Sequence, residues 1–329
     1  MNIINKLNCG EFSIVDLSNL PNNDKYNYIK LFKEKHYICK KENNNFLWKI
    51  PNILDINKNL NPNYTKTESK LFKYQQEDVN NLINRNRALL LHETGTGKTI
   101  IMLSVLSYLF RENDKCLIVV PKSIILQWLL EIEKHTTFTY SSQNNTFIKR
   151  KELTNIKKFN EANINIITYA RLRKYKEQNK DYKFIIYDEA TNLKNKKAQQ
   201  TKGAYNLFSE YKYLLTATPI QNKPWDIYSL LRVLDIEQFI FGSQFDFINK
   251  YAIREYMSYA HKDIITGWQN TKDLAINIKP ISLYRNKKDV ASQVNAVLKY
   301  VEQPRYITLS PQQNKNNNIL TEELTRLSE

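Results

Sequence analysis

The chain has 329 residues, 42% of them apolar, enough for about two domains with sizeable cores. Its 49 Lys and Arg against 33 Asp and Glu give a net charge of +16, which points toward a polyanionic partner. An AT-rich genome would also favour Lys, Asn, Ile and Tyr, so charge alone decides little. Three scattered cysteines exclude a disulfide framework. With no leader-like or membrane-length apolar run read in the chain, a soluble intracellular protein is expected.

Residues 1–70 are polar and Asn-rich, with Pro51 and Pro62 closing the segment. Tyr37-Ile38 and Phe46-Leu47-Trp48 read as the strands of a small hairpin around Asn43-Asn44-Asn45. His36 and Cys39 have half the spacing of a zinc site, but no second pair completes it. From residue 71, apolar runs at 88–91, 116–120, 164–168, 184–188 and 212–216 alternate with helix-compatible stretches such as 100–110 and 123–134. Unbroken apolar runs suit strands covered on both faces, so the pattern predicts an α/β fold: a parallel sheet flanked by helices, with ligands at the strands' carboxyl ends.

Beyond 222 the chain reads helical. Lys223-Pro224-Trp225 suits a helix start, and Ile227, Leu230, Leu231 and Leu234 follow on one face. The expected organisation is an accessory segment at 1–70, an α/β lobe at 71–235, a helical protrusion at 236–300 and a polar tail at 301–329.

Residues 92–99 read His-Glu-Thr-Gly-Thr-Gly-Lys-Thr, between the strand-like Ala88-Leu89-Leu90-Leu91 and the helix-like Ile100-Ile101-Met102-Leu103. In that setting glycines let backbone N–H groups turn inward around phosphate oxygens, and the helix N-terminus adds its positive end. Two of the six glycines in the chain, Gly95 and Gly97, stand here. Thr94, Gly95, Thr96, Gly97, Lys98 and Thr99 are therefore expected to bind ATP, with Lys98 on the β/γ-phosphates and Thr99 on Mg²⁺. The general pattern carries Gly where His92 stands.

Ninety residues after Lys98, the apolar strand Phe184-Ile185-Ile186-Tyr187 ends in Asp188-Glu189. A nucleoside triphosphatase needs one carboxylate to hold Mg²⁺ and another to orient the attacking water. Asp188 is assigned the first role and Glu189 the second.

Here the sequence resembles a known family. Asp188-Glu189-Ala190-Thr191, with Leu193-Lys194-Asn195 behind it, is similar to motif II of superfamily-2 helicases, and more narrowly to the Swi/Snf branch of DNA translocases. Leu71-Phe72-Lys73-Tyr74-Gln75-Gln76-Glu77-Asp78-Val79 resembles that branch's Leu-x-x-Tyr-Gln-x-x-Gly-Val motif, with Gln75 in the adenine-sensing place. Ile118-Val119-Val120-Pro121-Lys122-Ser123, followed by Gln127-Trp128 and Glu131, is similar to motif Ia, and Thr168-Tyr169-Ala170-Arg171 to the next strand-end motif. Leu215-Thr216-Ala217-Thr218-Pro219-Ile220-Gln221-Asn222 resembles motif III. Leu283-Tyr284-Arg285-Asn286-Lys287-Lys288-Asp289-Val290 resembles the segment closing the first lobe's protrusion. Thr191 departs from the usual His, and His92-Glu93 resembles the loops of large DNA-virus NTPases.

The resemblance implies a RecA-like first lobe with an ATP site and a nucleic-acid track, DNA favoured over RNA. Thr216 and Thr218 would couple phosphate state to that track. Pro121, Lys122, Ser123, Thr168, Tyr169 and Arg171 would contact phosphates irrespective of sequence. The run Lys194, Lys196, Lys197 and Lys202 reads as a solvated surface, and Trp128, Trp225 and Trp268 as packing. The segment around Phe46-Leu47-Trp48 faintly resembles DNA-binding modules of phage and repair translocases. Only 40 residues follow Asp289, against about 100–150 for another α/β domain, so a second RecA-like lobe is expected elsewhere and slow turnover is expected here. A nucleotide-regulated binding or regulatory module without productive turnover, and an RNA-directed helicase lobe, are the alternative readings.

Overall fold

The computed structural model describes residues 5–8, 12–16, 38–42, 45–51, 64–66, 70–143, 152–159, 161–173, 182–218, 224–257 and 262–294. The expected tail at 301–329, His36, and the Pro219-Ile220-Gln221-Asn222 end of motif III lie outside them.

Strands β1 (Asn5–Asn8), β2 (Phe12–Asp16), β3 (Ile38–Glu42) and β4 (Asn45–Pro51) form an antiparallel sheet in the order β1-β2-β4-β3. The strand pairing expected around Asn43-Asn44-Asn45 is present, with Glu42 paired to Asn45 and Cys39 to Trp48, while Tyr37, Asn43 and Asn44 lie outside the described residues. Two further strands extend it.

After helix α1 (Lys73–Leu82) come β5 (Arg87–Leu90), α2 (Lys98–Leu109), β6 (Cys116–Val120), α3 (Ile125–His135) and β7 (Tyr140–Ser142). Next are β8 (Ile164–Thr168), the single turn α4 (Tyr169–Leu172), β9 (Phe184–Asp188), α5 (Gln199–Tyr205), β10 (Tyr211–Leu215) and α6 (Trp225–Val233). The five predicted strands are all present. They belong to a seven-stranded sheet whose pairs run parallel.

Alternate residues leave this sheet on opposite faces, as a two-residue repeat requires. Leu89, Leu117, Val119, Ile185, Tyr187 and Leu214 enter a core with α6. Leu90, Ile118, Val120, Phe184, Ile186 and Tyr213 enter another with α2 and α3. Both faces being covered explains why the strands read as continuous apolar runs.

The stretch read as helical departs from expectation. After α7 (Glu237–Phe241) and α8 (Gln244–Tyr251), the strands β11 (Ala252–Met257) and β12 (Lys262–Trp268) form an antiparallel hairpin. Ile253, Tyr256 and Ile265 are exposed on it, so no buried apolar face marked these strands in the sequence. After α9 (Thr271–Ile278), strand β13 (Ser282–Leu283) returns to pair with β5, and α10 (Lys287–Val294) follows. The parallel sheet thus draws its edge strand from beyond residue 235. Among the described residues no helix is long and apolar enough to cross a membrane.

Candidate functional site

Strand β5 ends in the loop 91–97, and α2 begins at Lys98. Gly95 and Gly97 have φ of 83° and 82°, left-handed backbone that glycine takes at no steric cost. At Gly97 a Cβ would also collide with Gln75 Nε2. Gln75 is buried, its Oε1 accepting from Phe72 N at 3.0 Å and its Nε2 donating to Tyr74 Oη at 3.2 Å. The Tyr74 hydroxyl in turn donates to the Thr96 carbonyl at 2.8 Å, so α1 buttresses the loop from behind. Thr96 is buried with its hydroxyl on the Glu93 carbonyl, while Thr94 is exposed.

The loop, α2 and the end of β9 enclose a cleft of about 330 Å³. It is lined by Thr94, Gly95, Gly97, Lys98, Thr99, Asp188 and Glu189, with Gln127 and Glu131 from α3. Lys98 Nζ donates to the carbonyls of His92 at 2.9 Å and Glu93 at 3.3 Å. Burial pushes its pKa down, against the pull of Asp188 and Glu189.

Asp188 is 6% exposed. Its Oδ2 accepts from Trp128 Nε1 at 2.8 Å, and its Oδ1 from Glu189 N at 2.9 Å. Burial raises its pKa, opposed by those two hydrogen bonds and by Lys98. Glu189 is raised too, first by burial and then by the neighbouring Asp188 charge, with Lys98 opposing. Its φ of 51° places a non-glycine residue in the left-handed region, strain of the kind that collects at functional sites.

Reading Trp128 as packing alone missed its contact with the acid pair. Read as packing, it is indeed buried, but a buried indole N–H needs an acceptor, and the acceptor is Asp188. Sixty positions separate it from Asp188, so no local spacing in the sequence signalled the contact.

Of the six nucleic-acid candidates, Lys122, Ser123 and Arg171 are exposed and Pro121 is half-buried. They follow the adjacent strands β6 and β8, where Val120 pairs with Thr168. Tyr169 and Thr168 correct the expectation. Tyr169 is buried, its hydroxyl donating to the Asp188 carbonyl at 2.7 Å, so its ring supports the acid strand from within. Thr168 is buried as the cap of α4, its Oγ1 accepting from Arg171 N and from Gln143 Nε2. Thr216 is buried with its Oγ1 accepting from Thr218 N at 3.2 Å, a bond within its own turn. Lys196 of the basic run stands over the Trp225 ring at 4.4 Å.

Residues 74–328 match the SNF2-related domain. The chain is 30% identical over 243 residues to "Helicase domino" of Drosophila melanogaster, covering 68% of this chain and 7% of that protein. It is 29% identical over 254 residues to "Helicase SWR1" of Saccharomyces cerevisiae, covering 69% and 16%. With "ATP-dependent helicase FUN30" of the same yeast it shares 28% over 244 residues, covering 70% and 22%. The chain thus spans less than a quarter of these relatives' lengths. Among solved structures, it resembles the Sulfolobus solfataricus SWI2/SNF2 ATPase core in complex with dsDNA, with a TM-score of 0.57 and 25% identity. That match covers 82% of this chain and 55% of the other. A parallel sheet flanked by helices, a glycine-bearing loop on a helix N-terminus and a facing acid pair agree with these matches: the chain belongs to the SNF2-related domain family, as an ATPase-type lobe of that family.

Proposed function

We propose that this chain is the ATP-binding first lobe of a DNA-dependent ATPase of translocase type. The observation that carries the reading is the meeting of Lys98, Asp188 and Glu189 around one 330 Å³ cleft whose floor is a left-handed glycine loop. Lys98 leaves the carbonyls of His92 and Glu93 for the β/γ-phosphates. Thr99 and Asp188 would hold Mg²⁺, which when bound offsets phosphate charge. The donor set fits such an ion, because two carboxylates with raised pKa face a single lysine among the described lining residues. Glu189, its basicity raised by burial, takes the proton of the attacking water while the bond from the γ-phosphorus to the ADP oxygen breaks.

Lys122, Ser123 and Arg171 give a phosphate-contacting edge on adjacent strand ends, and the relative bound to dsDNA supports DNA as the partner. The transition state needs a further cation, which we assign to a second RecA-like lobe. The lobe itself is assigned to 71–235 together with the returning strand β13, the residues between as its protrusion, 1–70 as an accessory module and Thr216 and Thr218 as the coupling turn. Nucleotide titration and phosphate release test the reading. Lys98→Ala should weaken ATP binding by about 1.5–3 kcal/mol, the worth of a charge-assisted hydrogen bond. Turnover by the chain alone, with saturating duplex DNA, should be slow and vanish in Glu189→Gln. Unchanged affinity in Lys98→Ala would overturn the nucleotide site. Turnover of about 1–10³ s⁻¹ would place the further cation within this chain or in a second copy of it.

A further inference from the structure

Two departures from the nucleotide motifs meet in space. Asp78 stands where the Tyr-Gln motif carries Gly, and His92 where the general phosphate-loop pattern carries Gly. Asp78 Oδ2 lies 2.8 Å from His92 Nε2, with side-chain exposures of 1% and 0%. At two positions where the motif patterns carry Gly this chain has side chains, and the two meet.

The other face of Asp78 is taken by Arg285. The Arg285 Nε lies 3.2 Å from Asp78 Oδ1 and 3.3 Å from Oδ2, and NH2 reaches Oδ1 at 2.9 Å and Glu77 Oε2 at 3.1 Å. The hydrogen bond to Asp78 is the first cause holding the guanidinium pKa above its ordinary value. Backbone bonds run beside it. Leu91 N donates to Leu283 O at 2.7 Å and Glu93 N to Arg285 O at 3.0 Å, continuing the β5–β13 ladder into the phosphate loop. Lys287 N donates to Glu93 Oε2 at 2.9 Å. The residues fastened in this way, His92 and Glu93, are the ones whose carbonyls hold Lys98.

We propose that Asp78, His92 and Arg285 are positioning residues that seat segment 283–287 against the phosphate loop, so that the seating of this segment sets nucleotide affinity. The proposal rests on the ATP site described above. Segment 283–287 lies almost 200 residues after the loop, so whatever draws it away also removes the edge on which residues 91–93 are built. Binding couplings are reciprocal: if seating favours ATP, ATP must favour seating by the same factor.

The test uses the full 329-residue chain and a fluorescent ATP analogue, with affinities read well below each protein's melting temperature so that lost stability alone does not move them. Arg285→Gln should weaken binding on the order of tenfold, within the range of about 5–150-fold usual for such couplings. Arg285→Lys, which keeps the charge and loses the fork, should fall between that variant and the wild type. Hydrogen exchange on the unaltered chain gives a second readout that needs no variant to fold. ATP should slow exchange at the amides of Leu91, Glu93 and Lys287. Equal affinities in all three proteins, or exchange at those amides indifferent to ATP, would overturn the proposal. A wild-type chain that fails to bind the analogue would overturn the nucleotide reading itself, and this inference with it.

Discussion

At the residue scale, Asp188 depends on its neighbours more than on its own chemistry. Buried with a raised pKa, it is aimed by the Trp128 indole on one oxygen and the Glu189 amide on the other. Trp128→Phe keeps the ring packed and removes one hydrogen bond to a charged group, worth about 1.5–3 kcal/mol. ATP turnover measured with the proposed second lobe should therefore fall by on the order of tenfold or more, while the far-ultraviolet dichroism spectrum stays that of the wild type. Unaltered turnover would reduce Trp128 to packing. His92 belongs to the same scale. Where the general loop pattern carries Gly, its side chain meets Asp78.

At the element scale, Glu133 near the end of α3 organises a segment that carries little regular structure. Its carboxylate accepts from Tyr140 Oη at 2.5 Å, Thr154 Oγ1 at 2.7 Å, Thr154 N at 3.1 Å and Asn155 N at 3.2 Å. Burial would raise its pKa, but these bonds outweigh burial and hold it below the ordinary value. The sign follows from linkage. A carboxyl more acidic in the folded state contributes stability above its unfolded pKa, about 4.3, and loses it as pH falls through the folded value. Glu133→Gln should cost roughly 1–2 kcal/mol at pH 7, allowing for solvent screening, and the gap to wild type should close as pH falls through the lowered folded value. Chemical denaturation at several pH values checks this, and a gap independent of pH would refute it. The β11–β12 hairpin shows where element-scale reading fails. Its residues are largely exposed on both faces, so neither a two-residue nor a 3.6-residue apolar period survives to identify it.

At the scale of the molecule, a charge of +16 matters through where it is presented. Lys122 and Arg171 stand exposed beyond adjacent strands, whereas Lys212 and Arg87 are buried against Asp235 and serve the core. Binding to duplex DNA should therefore be sequence-independent and fall with salt at a slope of about −0.9 per phosphate neutralised. Lys122→Ala and Arg171→Ala should each flatten that slope by about one contact. A salt-independent affinity would contradict the edge assigned here.

The sequence by itself determined five of the sheet's seven strands, the glycine loop with Lys98 and Thr99, and the Asp188-Glu189 pair. Each of these is written in consecutive residues, as an apolar run, a loop composition or a strand-end doublet. Only the tertiary structure decided which residues stand behind them. Trp128 reaches Asp188 across 60 positions, Arg285 reaches Asp78 across 207, and Tyr169 turns inward to the acid strand although its motif suggested an outward role. Hydrogen bonds between such distant positions leave no local period or spacing. Whether an aromatic or a basic side chain faces the core, the cleft or the solvent is settled only when the strands take their places in the sheet.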